Sequence, residues 1–83
     1  MDKDIRFIPH AEDKFTILAE KGFKLTREQV INTLRDPDAL QARGHRQVAR
    51  RSLSRHYRLN VVFTEDAETI TVITFFPSRK ERP

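Results

Sequence analysis

Apolar and polar positions in the N-terminal half of the chain predict one short strand followed by a helix. Residues 4–8 alternate apolar and polar side chains, which is typical of a strand, and Pro9 follows them. In residues 10–21 the apolar side chains recur at helical spacing on one face. Gly22 comes directly after this segment and is predicted to end the helix, because glycine readily adopts the left-handed conformation required there.

A capping box predicts the start of a second helix. The hydroxyl of Thr26 can accept a hydrogen bond from a backbone amide of the first turn, while the side chain of Gln29 reaches back. Asp36 precedes Pro37 and therefore avoids helical backbone angles, which predicts the end of this helix. The short segment 22–25 between the two helices predicts a helical hairpin.

The C-terminal half is predicted to form strands. Residues 57–64 alternate apolar and polar side chains, and the acidic stretch 65–68 forms the turn that follows. Residues 69–76 are rich in β-branched and aromatic side chains, which predicts the most buried strand, and Pro77 is predicted to end it. Residues 41–53 are too polar for a clear pattern, and we predict a further strand or a long irregular edge there.

Together these elements predict an α+β fold made of a single domain, residues 1–83, in which residues 78–83 form a flexible tail. The predicted order of elements is β-α-α-β-β-β. Two N-terminal helices are expected to cover one face of an antiparallel sheet. The other face is expected to be open to solvent and to collect the arginines.

The positive charge of the chain is concentrated in one window. The chain carries a formal net charge of +4, and residues 41–58 hold six arginines and no acidic residue. A guanidinium offers a planar fork of donors that matches phosphate, whereas lysine acts as a point charge. One-sided charge destabilises a fold unless a partner uses it. We therefore favour a phosphate-binding surface for nucleic acid over a solvated, arginine-rich strand.

Composition argues against several other classes of function. The sequence contains no cysteine, which excludes disulfides and thiolate chemistry and fits a reducing cytoplasm. It has only two glycines and no glycine-rich phosphate loop, and its histidines lack metal-ligand spacing, so no cofactor or metal is predicted. It has no apolar run of membrane-spanning length and no apolar stretch of a secretory signal, so a cytoplasmic protein with no membrane partner is expected.

The motifs of the chain also have a distinctive order. They are Phe7-Ile8-Pro9-His10-Ala11, Lys21-Gly22-Phe23, the capped segment from Thr26 to Pro37, the segment from Tyr57 to Phe63, and the segment from Ile70 to Pro77. This order resembles the RelE/ParE-like toxin superfamily, and within it a small bacterial domain family whose first helix opens with His-Ala. It is also similar to BrnT-type toxins. The resemblance covers nearly the whole chain and implies a RelE-like domain that cleaves RNA and is held inactive by an antitoxin.

Metal-independent cleavage of RNA needs groups that transfer protons, which suits histidine, and groups that stabilise a phosphorane, which suits arginine. The predicted catalytic residues are His10, which the resemblance places at the opening of the first helix, His45 and Arg58. The predicted RNA- or phosphate-binding residues are Arg43, Arg46, Arg50, His56, Arg79 and Lys80. Arg58 is the leading candidate for phosphate contact, because strand alternation turns it toward the open face.

Three interpretations of this surface are left open. The first is a toxin-like endoribonuclease acting on RNA on or off the ribosome. The second is a non-catalytic nucleic-acid-binding or ribosome-associated module. The third is an interaction domain that docks an acidic partner such as an antitoxin, and a homodimer is a further assembly to test. A catalytic His10 is no better supported than a His10 that only begins the helix and whose ring packs or hydrogen-bonds locally. The alternation around Tyr57 favours a role in core packing over a role in stacking on a base.

Overall fold

Two helices cover one face of a five-stranded sheet in the computed structural model, which describes residues 3–80. The elements along the chain are β1 (Asp4–Phe7), α1 (Pro9–Glu20), α2 (Arg27–Arg35), β2 (Ala39–Arg43), β3 (Arg46–Ser52), β4 (Tyr57–Glu65) and β5 (Thr69–Arg79). Within the sheet the strands lie in the order β1-β5-β4-β3-β2. The predicted α+β class, with two helices packed against a sheet, is confirmed.

The sheet is mixed, whereas an antiparallel sheet was expected. β1 runs parallel to the first part of β5, where Phe7 lies beside Val72, and all other neighbouring strands are antiparallel. The prediction of a fully antiparallel sheet is therefore wrong. Side chains alternate between the two faces in either strand direction, so the apolar pattern carries no information about direction.

The sheet has five strands where four were predicted, and the difference arises in the polar segment 41–53. This segment contributes to a hairpin of two strands, β2 and β3, joined by a tight turn at Gly44 and His45. Gly44 has a φ of +62° at the first central position of this turn, where a type II′ turn favours glycine. Because the chain reverses here, Arg43 pairs with Arg46 and both point to the same face. A continuous strand would have placed them on opposite faces.

Both predicted helix signals are confirmed. At the end of α1, the amide of Phe23 donates to the carbonyl of Leu18 at 2.8 Å and the amide of Gly22 donates to Ala19 at 3.1 Å, while Gly22 has a φ of +96°. These two bonds form a Schellman motif. At the start of α2, Thr26 and Gln29 form the reciprocal capping box. The helices therefore begin and end close to where local sequence predicts.

The relative burial of β4 and β5 reverses the prediction. β4 is the central strand and holds more buried residues than β5. The expectation that Pro77 ends the last strand is also wrong, because β5 continues to Arg79. β1 pairs only with residues 69–72, so Pro77 lies where β5 has a neighbour on one side only, and proline is tolerated there. The amide of Lys80 donates to the carbonyl of His56 at 2.8 Å, and the rest of the predicted flexible tail, residues 81–83, lies outside the described residues.

The predicted turn between the last two strands is stabilised by a carboxylate. Asp66 Oδ1 accepts hydrogen bonds from the amide of Glu68 at 2.9 Å and from the amide of Thr69 at 2.8 Å. These two backbone donors lower the pKa of the Asp66 carboxyl group below its usual value. A hydrogen bond from Lys3 does the same for the pKa of Glu65. Both groups therefore stabilise the turn when ionised, and this stabilisation is lost as the pH falls through their folded-state pKa values.

The core lies between the helices and one face of the sheet, and Phe75 is its largest fully buried side chain. The Phe75 ring lies 4.7 Å from the ring of Phe15 on α1 and 6.5 Å from that of Phe7 on β1, measured between centroids. A bulge in β5 makes this possible, since the pairing with β4 skips Ile73. As a result both Val72 and Phe75 face the core although they are three positions apart. Tyr57 packs at the edge of the same layer, 5.1 Å from the ring of Phe23, which confirms the packing role preferred for it.

The adjacent residues Phe75 and Phe76 provide a test of this arrangement. Phe75→Ala is expected to lower the free energy of unfolding by about 3–5 kcal/mol, the range for truncating a buried phenylalanine. Phe76 is 40% exposed on the other face, so Phe76→Ala is expected to lower it by about 1 kcal/mol or less. Urea unfolding followed by circular dichroism measures both variants. Equal losses would contradict the assignment of the two side chains to opposite faces.

Candidate nucleic-acid interface

The face of the sheet opposite the helices carries a cluster of cationic side chains, which we call the basic face. Its residues are Arg43, Arg46, Arg50, Arg58 and Lys80. Two hollows lie side by side on it. The polar hollow, of about 370 Å³, is lined by Asp38, Ala39, Arg50, Ser52, Arg58 and Lys80. The apolar hollow, of about 290 Å³, is lined by Arg43, Arg46, Val48, Arg50, Val62 and Phe76.

Arg50 lines both hollows and is held in place by the sheet. Its Nε donates to Asn60 Oδ1 at 2.8 Å, and its Nη1 donates to Gln41 Oε1 at 3.2 Å. Asn60 is itself 2% exposed, and its amide nitrogen donates to the carbonyl of Phe76 at 3.1 Å and to Ser78 Oγ at 2.8 Å. A buried amide on the central strand therefore fixes where this guanidinium lies.

The polar hollow combines groups of both charges. Lys80 Nζ donates to Ser52 Oγ at 2.6 Å, and the backbone amide of Ser52 donates to Asp38 Oδ2 at 2.8 Å. Arg58 lies opposite Ser52 in the β3–β4 register, and its side chain forms no hydrogen bond or ion pair with any other residue in the described range 3–80. Its donors are therefore available to a ligand.

The rim of the apolar hollow concentrates like charge. Arg43 and Arg46 stand directly opposite each other in the β2–β3 register, a position in which like charges destabilise a sheet. Neither forms an ion pair within the described part of the chain. This local repulsion would be relieved by an anion placed between or above the two guanidinium groups.

Two arginines of the strands, Arg51 on β3 and Arg79 on β5, face the helix side of the sheet. Arg51 Nη1 donates to the carbonyl of Asp36 at 3.1 Å and to its carboxylate at 3.2 Å, which satisfies acceptors at the C-terminal end of α2. Arg79, predicted to bind RNA, pairs with Tyr57 in the β4–β5 register, and its guanidinium carbon lies 5.8 Å from the centre of that ring. The structure does not bring Arg79 to the basic face.

The three histidines lie apart from one another, and none of them lines either hollow. His10 is exposed in the first turn of α1, which lies on the helix side. His45 lies in the β2–β3 turn and His56 in the β3–β4 connection, at opposite ends of β3. With seven residues in β3 and a rise of ~3.3 Å per residue, these two are separated by roughly 20 Å. Of the predicted residues, the structure therefore brings Lys80 and every arginine except Arg79 together, but it does not pair two histidines.

Six residues that line the two hollows are absent from the set of site residues predicted from the sequence: Asp38, Ala39, Val48, Ser52, Val62 and Phe76. Asp38 directly follows Pro37, an arrangement typical of a turn, and Ser52 belongs to the segment 41–53, which is too polar for a clear pattern. Phe76 has the same chemistry as its buried neighbour, and only the bulge decides which of the two is exposed. No sequence signal distinguishes them, because the pairing of β5 with β4 is a tertiary property.

Comparison of the chain with protein-family models, with curated proteins and with solved structures finds no match in any of the three. The resemblance to RelE/ParE-like toxins therefore stays a prediction. Of the two helices in the described part of the chain, neither is long and apolar enough to cross a membrane.

The support of Arg50 by Asn60 can be tested by removing the amide. Asn60→Leu is expected to lower the free energy of unfolding by about 1–3 kcal/mol, because the partners of a buried hydrogen-bonding group are left unsatisfied. Gln41→Ala is the control, since it removes an exposed partner of the same arginine and is expected to change stability by about 0.5 kcal/mol or less. Urea unfolding checks both, and wild-type stability of Asn60→Leu would contradict the role given to this amide.

Proposed function

We propose that the chain binds RNA through the phosphate groups along its basic face. The observation that carries the proposal is the direct pairing of Arg43 with Arg46 beside Arg50, without a described carboxylate partner for either of the first two. Guanidinium groups match phosphate oxygens with two parallel hydrogen bonds. The choice of RNA over other anions draws on the toxin resemblance and on the exposed aromatic ring among the arginines, a combination that suits nucleic acid.

Binding through phosphates is expected to weaken steeply with salt. For a single strand, the slope of log affinity against log salt changes by about 0.7 for each phosphate contact. The double variant Arg43→Gln/Arg46→Gln should therefore reduce the magnitude of this slope by roughly 1.4 if each arginine neutralises one phosphate. Fluorescence anisotropy of a labelled oligoribonucleotide, titrated at several salt concentrations, gives the slope.

The matched control is Arg27→Gln/Arg79→Gln, which lowers the net charge equally but on the helix side of the sheet. Arg27 begins α2 and lies over the ring of Phe7 at 4.9 Å, away from both hollows. This control should leave the slope nearly unchanged. Equal reductions in the two double variants would mean that RNA responds to overall charge alone, and the assignment of the basic face would be wrong.

Cleavage of the bound RNA is a second candidate function, and the composition of the polar hollow favours it. Asp38 offers a carboxylate that could accept the proton of a ribose 2′-hydroxyl as its oxygen attacks phosphorus. Arg58 could stabilise the added negative charge of the phosphorane. Lys80 could donate a proton to the 5′-oxygen as the P–O5′ bond breaks, which leaves a 2′,3′-cyclic phosphate and a 5′-hydroxyl. In this arrangement the histidines take no part.

This second candidate is tested with purified chain, labelled RNA and a metal chelator. Asp38→Asn and Arg58→Gln are expected to slow the formation of cyclic-phosphate ends by about 100-fold or more, because each removes one contribution to proton transfer or charge stabilisation. His10→Gln and His45→Gln are the controls and should cleave at the wild-type rate. Loss of cleavage in a histidine variant alone would contradict this site, and intact RNA with the wild-type chain would reject the nuclease while leaving the binding proposal standing.

A further inference from the structure

We infer that the apolar hollow holds an unpaired nucleobase, so that the ligand of the basic face is single-stranded RNA; this inference rests on the proposed RNA binding. A surface that only contacted phosphates would need cations alone. The hollow instead combines a cationic rim with apolar side chains, and its volume of about 290 Å³ is near the lower end of the ~300–1,000 Å³ typical of sites for small organic ligands.

The side chains of this hollow match the two surfaces of a base. Val48, Val62 and Phe76 provide apolar surface, and the Phe76 ring is 40% exposed. Aromatic rings and guanidinium planes are the groups on which unpaired bases stack in proteins that bind single strands. Stacking needs only the flat face of a base, so this hollow predicts binding with little preference for sequence.

The neighbouring polar hollow supplies the place for the phosphate. Arg50 lines both hollows, so a ligand that fills them must place an apolar group and an anionic group next to each other. One nucleotide does this, since its base and its phosphate are joined through one ribose. In a duplex the bases are stacked inside and paired, and their faces are not available to such a hollow.

An acidic protein segment is the main competing ligand. It would be attracted to Arg43, Arg46 and Arg58, but a carboxylate gains no favourable contact from an exposed phenyl ring on the same face. A loss of affinity on removing positive charge therefore does not distinguish RNA from an acidic protein segment. A loss of affinity on removing the bases does distinguish them.

The decisive experiment compares three RNA probes of equal length at low salt by fluorescence anisotropy. The probes are single-stranded oligouridylate, the abasic ribose-phosphate chain, and oligouridylate paired with oligoadenylate. The wild-type chain is expected to bind the first more tightly than the abasic chain by roughly 5- to 150-fold, the range for one stacked base. Phe76→Ala should remove this difference and leave binding of the abasic chain unchanged.

Two variants keep the test independent of folding defects. Phe76→Tyr retains the ring and should keep the preference for the base-bearing probe. Ile17→Ala truncates a side chain of similar exposure, 39%, on α1, and should bind all three probes as the wild type does. Thermal unfolding of every variant confirms that the compared proteins are folded.

The failures of the two proposals are distinguishable. Equal affinity for the base-bearing and abasic strands, unchanged in Phe76→Ala, would overturn the base hollow and leave phosphate binding in place. Preference for the duplex would also overturn it. No binding of any probe at low salt would overturn the proposed function as well. Displacement of RNA by polyglutamate at equal concentration, with the same dependence on Phe76, would instead assign the face to an acidic protein partner.

Discussion

The structure depends on the burial of a single face of one sheet. Two helices, of 12 and 9 residues, pack against five strands, and the buried cluster from Ala11 to Phe75 lies between these two layers. No third layer covers the opposite face in the part of the chain that the structure describes. That face must therefore carry polar groups or a ligand, and its arginines are free of the packing constraints that act on the core.

The central strand β4 has one side packed in the core and the other on the basic face, so packing of the core fixes the positions of residues on the basic face. Leu59 and Val61 are almost fully buried on the helix side, and because side chains alternate, they determine where Arg58 and Asn60 stand on the other. Asn60 then positions Arg50. The two hollows are thus built on strands, which hold side chains more rigidly than loops do. The histidines, in contrast, occupy a helix start and two connections, where geometry is less strictly defined.

Local signals in the sequence predicted local structure well. The glycine at the end of α1, the capping box of α2 and the outward direction of Arg58 depend on a few neighbouring residues, and all three agree with the structure. The direction of β1, the hairpin within residues 39–52 and the grouping of Arg43 with Arg46 depend on pairing between distant segments or on chain reversal. The alternation of side chains along one strand contains no information about which segments pair or about where the chain reverses. The separation of the histidines follows from the same hairpin, since it places His45 and His56 at opposite ends of β3.

The bulge at Ile73 has a consequence for comparing this chain with relatives that differ in length. If Ile73 paired like its neighbours, Phe75 would point toward the arginines and Phe76 would enter the core. An alignment that shifts this strand by a single position would therefore match a core residue with a surface residue, although both are phenylalanine and that position would still count as identical. Homologous positions in β5 have to be assigned from strand pairing, because residue identity alone cannot distinguish the two phenylalanines.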